Sequence, residues 1–253
     1  MNMRRLIVVL MLIVVSAGLV AVPVAPVSAA LISTQQEIEI GRQAAAEIEG
    51  EFGIVTDPAL NQYVTNVGLR VAAVSERREL PWTFKILNEN EVNAISLPGG
   101  FIYVTRGMLS FLRSRDELAF VLAHEIGHVA KRHHVQIIER NFFSSIVLSL
   151  IFGRDATAAQ IANFARFLMT RGFSREAEFE ADRVGVSYAH RARFNAAAGL
   201  AFMERLRAAE GRDPSNFEVL FRTHPALADR IVRVRQELRS LGYRVARRLH
   251  KAS

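Results

Sequence analysis

The sequence predicts an α+β domain that is mostly α, with one small antiparallel sheet. Three observations lead there. Apolar residues recur at helical spacing over most of residues 37 to 241, only two segments have strand composition, and half of the 253 residues are hydrophobic, enough for a sizeable core. That composition, with 23% charged residues, excludes disorder as the main state.

In chain order, residues 1–30 open with Arg4 and Arg5, continue through the apolar run Leu6 to Val15 and close on Val27-Ser28-Ala29-Ala30. This is the pattern of a secretory signal cleaved after Ala29 or Ala30, or of an uncleaved membrane anchor, and either reading exports a single domain spanning 31–253. Glu37 to Glu51 and Pro58 to Val74 read as amphipathic helices, the second with Leu60, Val64, Val67 and Val71 on one face. Trp82 to Leu87 and Phe101 to Thr105 read as strands, separated by a stretch that ends in the turn signal Pro98-Gly99-Gly100.

Ser114-Arg115-Asp116-Glu117 reads as a capping box that starts a long helix with Leu118, Val121, Leu122 and Val129 on one face. The apolar run Phe142 to Phe152 is too short to cross a bilayer as a helix, at about 1.5 Å per residue. With Ile161 to Met169 it could form a helical hairpin over a groove or a membrane surface, or ordinary core. Glu176 to Ala189 and Ala196 to Arg207 read as helices, and Pro225 to Leu241 as a last basic one. Residues 222–251 hold nine Lys or Arg against Asp229 and Glu237, so the formal charge of +7 belongs to this C-terminal helix and its flank. With one Trp, four Tyr and no interleaving of aromatic and basic residues, that charge fits solvation or contact with anionic headgroups, and no nucleic acid partner is expected.

The chain has no cysteine, which excludes disulfide scaffolds, thiolate metal sites and cysteine nucleophiles. Any metal must be held by His, Asp or Glu. His124-Glu125-Ile126-Gly127-His128 supplies two imidazoles four residues apart inside the capped helix, projecting from one side a turn apart as two ligands of a tetrahedral zinc require. Glu125 can reach a metal-bound water rather than the metal, and chance would produce this motif on the order of 0.01 times in a chain of this composition. Gly127 is a residue that helix interiors avoid unless another group comes close.

A third ligand must come from elsewhere, and Glu176 to Asp182 offers several carboxylates. Glu178 and Asp182 lie four apart on one face, beside the small residues Ala177 and Ala181, so one could ligate while the other orients a histidine ring. Spacing alone does not separate Glu178 from Glu176 or Glu180.

His124 to His128, then Ser174-Arg175-x-x-Glu178-x-x-Ala181-Asp182, then Thr223-His224-Pro225, resembles family 48 of the zinc metallopeptidases, which holds the HtpX, BepA and CaaX prenyl proteases. Asn93-Ala94 and Leu97-Pro98-Gly99-Gly100 match it too. The resemblance covers most of residues 35 to 240 and is nearest to the short, exported, single-domain type, without the C-terminal helical repeats of BepA-like members or the four hydrophobic spans of HtpX-like ones. It implies a gluzincin-type fold, one zinc per chain held by His124, His128 and Glu178, and Asp182 behind a ligand histidine. It also implies His224 near the metal, donating to an oxyanion or filling the water's place at rest, and Arg230 as a second oxyanion donor. By position, His224 precedes Pro225 and would cap the last helix. His133, His134, His190 and His250 are expected to face solvent or pair with nearby acids.

The motif implies peptide hydrolysis by a zinc-activated water with Glu125 as general base. Asn93, Ala94 and the Gly99-Gly100 turn would border a groove where an extended substrate adds as a strand. The expected protein is an exported, periplasmic or otherwise extracytoplasmic zinc metalloendopeptidase that can contact a membrane surface and acts on misfolded or partly unfolded envelope proteins. The competing expectation is a zinc-bound chaperone or assembly factor whose hydrolysis is suppressed by His224.

Overall fold

The computed structural model describes residues 32–141, 157–210 and 214–245; the N-terminal segment, the run Phe142 to Phe152 and His250 lie outside them. No helix among the described residues is long and apolar enough to cross a membrane. Helix α1 (Thr34–Phe52) starts at Ser33, whose hydroxyl accepts from Gln36 N while the Gln36 side chain accepts from Ser33 N. Helix α2 (Pro58–Ala72) starts at Asp57, which caps Leu60 N, with Pro58 at the first helical position.

Three strands follow: β1 (Thr83–Leu87), β2 (Ala94–Leu97) and β3 (Phe101–Thr105), in spatial order β1-β3-β2. The sheet is mixed rather than antiparallel. The segment between the two anticipated strands is itself a strand, which reverses once at Pro98-Gly99-Gly100 to pair antiparallel with β3, leaving β1 parallel to β3. Gly99 (φ 78°) makes this reversal, a left-handed conformation that glycine adopts without steric cost.

Side chains alternate across the sheet. Phe84, Ile86, Ala94, Ile102 and Val104 join the larger core, whereas Leu87, Ile95, Leu97 and Tyr103 join a second core with α1. A short helix α3 (Arg106–Phe111) leads into α4 (Arg115–Ala130), which is buried all round from Glu117 to Val129 and forms the centre of the domain. Ser114 Oγ accepts from Glu117 N, but Glu117 does not return the bond. Its carboxylate takes Arg113 N and Arg205 instead, so only half of the anticipated capping box forms.

Helices α5 (His133–Asn141), α6 (Ala158–Thr170), α7 (Arg175–Arg191), α8 (Ala197–Ala209), α9 (Pro214–Thr223) and α10 (Leu227–Ser240) complete the element order. The apolar Ile161 to Met169 lies within α6, which buries Phe164, Ala165 and Leu168 against the α1 core. The basic helix α10 turns part of its charge inward: Arg230 to Asp182, Arg235 to Glu204 at 2.6 Å, and Arg233 over the Phe179 ring.

One buried ion pair ties the start of α1 to the end of α4. Glu37, 1% exposed, accepts from Arg77 Nη1 at 2.7 and 2.9 Å, meets Arg132 Nε at 3.2 Å and takes Gly99 N at 3.3 Å, while Arg77 Nη1 also reaches the Val129 carbonyl. Removing one partner leaves an uncompensated buried charge, so Glu37→Leu is expected to cost about 3–5 kcal/mol in urea unfolding. A loss under 1 kcal/mol would show that the arginines reach water without it.

Candidate active site

Two helices meet closely because glycine lets them. A Cβ on Gly185 of α7 would stand 3.1 Å from the backbone nitrogen of His124, and one on Gly127 of α4 would stand 3.1 Å from the Ala181 carbonyl oxygen. Glu178, Asp182 and Gly185 recur at i, i+4 and i+7, so the face of α7 that touches α4 through Gly185 also presents both carboxylates to the histidines.

The donor atoms converge. His124 Nε2 lies 3.0 Å from His128 Nε2 and 3.6 Å from Glu178 Oε2, and His128 Nε2 lies 3.3 Å from Glu178 Oε1. His224 Nδ1 adds a fourth vertex, 3.1 Å from Glu178 Oε1 and 3.4 Å from His124 Nε2. Donors sharing one tetrahedral zinc at about 2.0–2.1 Å stand roughly 3.3–3.4 Å apart. These four buried side chains, whose ligand atoms all lie within 4.8 Å of one another, form a donor set of the right chemistry and size to hold a zinc ion.

The imidazoles of His124 and His128 both point Nε2 into the donor cluster and are held from behind at Nδ1. Asp182 Oδ1 sits 2.9 Å from His124 Nδ1, and His133 Nδ1 sits 2.9 Å from His128 Nδ1. His133 Nε2 in turn lies 3.3 Å from Glu180 Oε2. One proton arrangement satisfies the whole chain: His128 Nδ1–H donates to His133 Nδ1, His133 Nε2–H donates to Glu180, and the His128 Nε2 lone pair is left for a metal. The ring of Phe173 stacks on His128 at 3.7 Å between centroids.

Burial drives the His128 pKa well below 6.5 although Glu178 pulls the other way, keeping the imidazole in its neutral donor form. Burial by itself would raise Glu178, but the Arg230 guanidinium and His224 outweigh it and hold the carboxyl well below its ordinary value. Asp182 is lowered by the same balance, burial against Arg230 and His124. Burial also works on His224, and there the Glu178 carboxylate wins and raises the pKa.

Glu125 stands outside the donor set. Its Oε2 accepts from Ser96 Oγ at 2.6 Å, and its Oε1 lies 3.7 Å from His224 Nε2. Sequence reasoning did not single out Ser96; it lies on β2, on the face turned to α4. Arg230 is fully engaged with the α7 carboxylates, Nε and Nη2 on Asp182 at 2.7 and 2.8 Å and Nη1 2.5 Å from Glu178 Oε2.

His224 is not the cap of the last helix. Its N–H continues the hydrogen bonding of α9 to the Leu220 carbonyl, and α10 begins three residues later after Ala226, held at φ 62° and ψ 33°. This sharp reversal places His224 from the end of α9 and Arg230 from the first turn of α10 on the same side.

Of the histidines expected to face solvent or pair with nearby acids, two are buried. His133 does pair with an acid, Glu180, and backs the His128 ring of the donor cluster, whereas His134 is 2% exposed with burial holding its pKa down to about 3. The Ser96 backbone faces the His134 ring, short of a well-formed hydrogen bond. The signal for His134 was available: Val135 and Ile138 mark the apolar face of α5, and His134 adjoins it. His190 is exposed and meets the Tyr243 hydroxyl at 3.0 Å.

Asn93 precedes β2 and Ala94 opens it; Asn93 Oδ1 accepts from Ala94 N, and both line a cleft shared with Glu125, Phe173 and His224. Gly99 and Gly100 lie elsewhere. Gly99 packs on the backbone of Ile38 and Gly100 near Leu80 and Trp82, so they shape the hairpin without bordering that cleft.

The backing of His128 has a measurable consequence. His133→Leu is expected to weaken zinc binding about 10–100-fold in chelator competition, and His133→Gln, whose side-chain carbonyl can accept from Nδ1–H, to recover part of the loss. Equal affinity in all three forms would make His133 a packing residue only.

The family model of peptidase family M48 matches residues 58–238. The chain is 30% identical over 224 residues to a putative beta-barrel assembly-enhancing protease of Vibrio cholerae serotype O1, covering 84% of this chain and 46% of the relative. It is 31% identical over 214 residues to the mitochondrial metalloendopeptidase OMA1 of Schizosaccharomyces pombe, covering 82% and 62%. It is 28% identical over 215 residues to the beta-barrel assembly-enhancing protease of Escherichia coli O157:H7, covering 81% and 44%. The chain thus spans about half the length of these relatives. With the family model matching well over half of its residues, the chain belongs to peptidase family M48, and its described domain is a metallopeptidase domain.

Proposed function

We propose that the protein is an exported zinc metalloendopeptidase that hydrolyses peptide bonds in misfolded or partly unfolded polypeptides of the cell envelope. The observation that carries the reading is the donor cluster of His124, His128, Glu178 and His224, with Glu125 beside it and outside it. Zinc held by this set would polarise the scissile carbonyl and acidify a water for attack.

Glu125 takes the proton from the attacking water and returns it to the leaving amine, with Ser96 fixing which carboxylate oxygen is free to do so. Asp182 holds the His124 ring at Nδ1 and is itself clamped by Arg230, which makes Arg230 a positioning residue ahead of any role toward an oxyanion. A zinc held by all four donors would have no open position for chemistry, so His224 would have to part from Glu178 for turnover and would then be free to donate toward the oxyanion. The edge strand β2, entered from Asn93, offers main-chain groups beside Glu125 to an extended chain, a mode of binding that tolerates many sequences.

Export rests on the pattern of residues 1–30, and the envelope as the site of action on the relatives named for beta-barrel assembly. The chaperone alternative is not favoured, because the relatives reported above are named as proteases or metalloendopeptidases. The test is metal analysis of the purified protein together with cleavage of an unfolded protein such as reduced casein. One zinc per chain, loss of cleavage on chelation and its return with zinc are expected. Cleavage that persists undiminished in the zinc-free protein would eliminate the proposal.

A further inference from the structure

His134, the second residue of α5, is a buried polar ring that the mechanism above does not use. Neither of its nitrogens has a hydrogen-bond partner among the described residues. The Phe173 ring meets it edge-on, 5.1 Å between centroids, and Phe173 in turn stacks on His128. A buried polar group without a partner lowers stability, and packing alone would be served by leucine, which has no polar atom to desolvate.

The ring faces the outer edge of β2. Thr105 N donates to the carbonyl of Asn93, the residue opposite it, which makes these two a bonded pair of the β2–β3 ladder. Bonded pairs alternate, so the register bonds Ile95 and Leu97 to β3 and turns the main-chain groups of Ala94 and Ser96 outward. Ala94 N is taken by Asn93 Oδ1. At Ser96 the facing group is His134. Burial lowers the His134 pKa and the Ser96 main chain pulls it back up, the action of an acceptor, so the carbonyl is what faces the ring. The Ser96 hydroxyl, on the α4 side, holds Glu125 at 2.6 Å. One residue thus meets His134 through its main chain and the proposed general base through its side chain.

We propose that His134 is a positioning residue for the proposed hydrolysis: its ring N–H bonds the Ser96 carbonyl when a substrate strand pairs with β2, and so keeps the Ser96 hydroxyl on Glu125. This rests on the proteolytic reading above. An extended substrate bonds the outward groups of Ala94 and draws on the strand. Ser96, which has no β3 bond of its own, is free to shift, and a displacement of about 1 Å at a catalytic group costs roughly 100-fold in rate. A donor held ready in this way destabilises the resting protein and serves turnover, so its removal raises stability and lowers kcat together.

The experiment sets stability against turnover in the full zinc-loaded chain, with reduced casein as substrate. His134→Leu is expected to raise the melting temperature by about 2–8 °C, to lower kcat about 10–100-fold, and to leave KM and zinc affinity within about 3-fold of the native values. The amide nitrogen of Asn falls near the place of Nδ1 and that of Gln near Nε2, so one of His134→Asn and His134→Gln restores most of kcat. In a Ser96→Ala background His134→Leu lowers kcat no further, because the hydroxyl it positions is gone. Unchanged kcat in His134→Leu overturns the inference while leaving the proteolytic reading standing. So does a fall in kcat with a lower melting temperature, which would make His134 a structural residue. Loss of zinc affinity would route the effect through Phe173 and His128, and overturns it equally. An undiminished further loss in the Ser96→Ala background, or failure of both amides to restore kcat, also overturns it. Native protein that binds zinc and cleaves no casein removes the proteolytic reading itself, and the inference falls with it.

Discussion

Glu125→Gln lowers kcat for an unfolded protein substrate by about 10³-fold or more while the chain keeps one zinc ion. The expectation follows from where Glu125 stands. It lies on the ligand helix between His124 and His128, yet its carboxylate is not among the four donors that face one another; it meets Ser96 Oγ and lies 3.7 Å from His224 Nε2. Gln is nearly isosteric and its carbonyl oxygen can still accept from Ser96, so geometry and metal content persist while the ability to accept and return a proton is lost. Metal analysis beside steady-state kinetics separates the two. A variant that loses zinc together with activity would make Glu125 structural, and one that keeps both would take it out of the chemistry.

The helix that carries the candidate donors His124 and His128 was legible because its information is local. Two imidazoles and a carboxylate within five residues must share one side of a helix wherever that helix packs, and the Ser114 cap fixes where the helix begins. Glu178 is different in kind. Glu176, Glu178 and Glu180 are equivalent by composition, and only the glycine-mediated crossing of α4 and α7 decides among them. Glu178 is fully buried against the histidines, Glu180 reaches His133 from a half-exposed position, and Glu176 lies in the exposed first turn. His133 was expected to face solvent or pair with an acid, and it pairs with Glu180, but its place behind His128 was not legible for a related reason. Arg132, at φ 57°, turns the chain just after α4 and folds α5 back under His128, a tertiary event with no periodic signature. The sheet was assigned the wrong pairing because β2 is four residues long and carries Ser96, which looks like loop until its hydroxyl is seen to hold Glu125.

The same crossing of helices yields the second large effect. Gly185→Val is expected to weaken zinc binding by about 100-fold or more and to cost about 1–3 kcal/mol of stability, read by chelator competition and by urea unfolding. A Cβ at this position meets His124 N at 3.1 Å and the backbone of Ala123 and His124 at 3.3 Å, so what must yield is the main chain that carries a metal ligand, not the end of a flexible side chain. The two γ-methyls of valine extend the clash. Separating α4 from α7 at Gly185 moves His124 from Asp182 and from Glu178 together, since both carboxylates ride on α7. Gly50→Val is the control: it changes a helical glycine in α1 with nothing within 4 Å of an added Cβ, and should leave zinc affinity unaltered. If Gly185→Val also binds zinc as tightly as the native chain, the donors are not held in place by the contact of these two helices, and the short loop and α9 that deliver His224 would have to supply the rigidity instead.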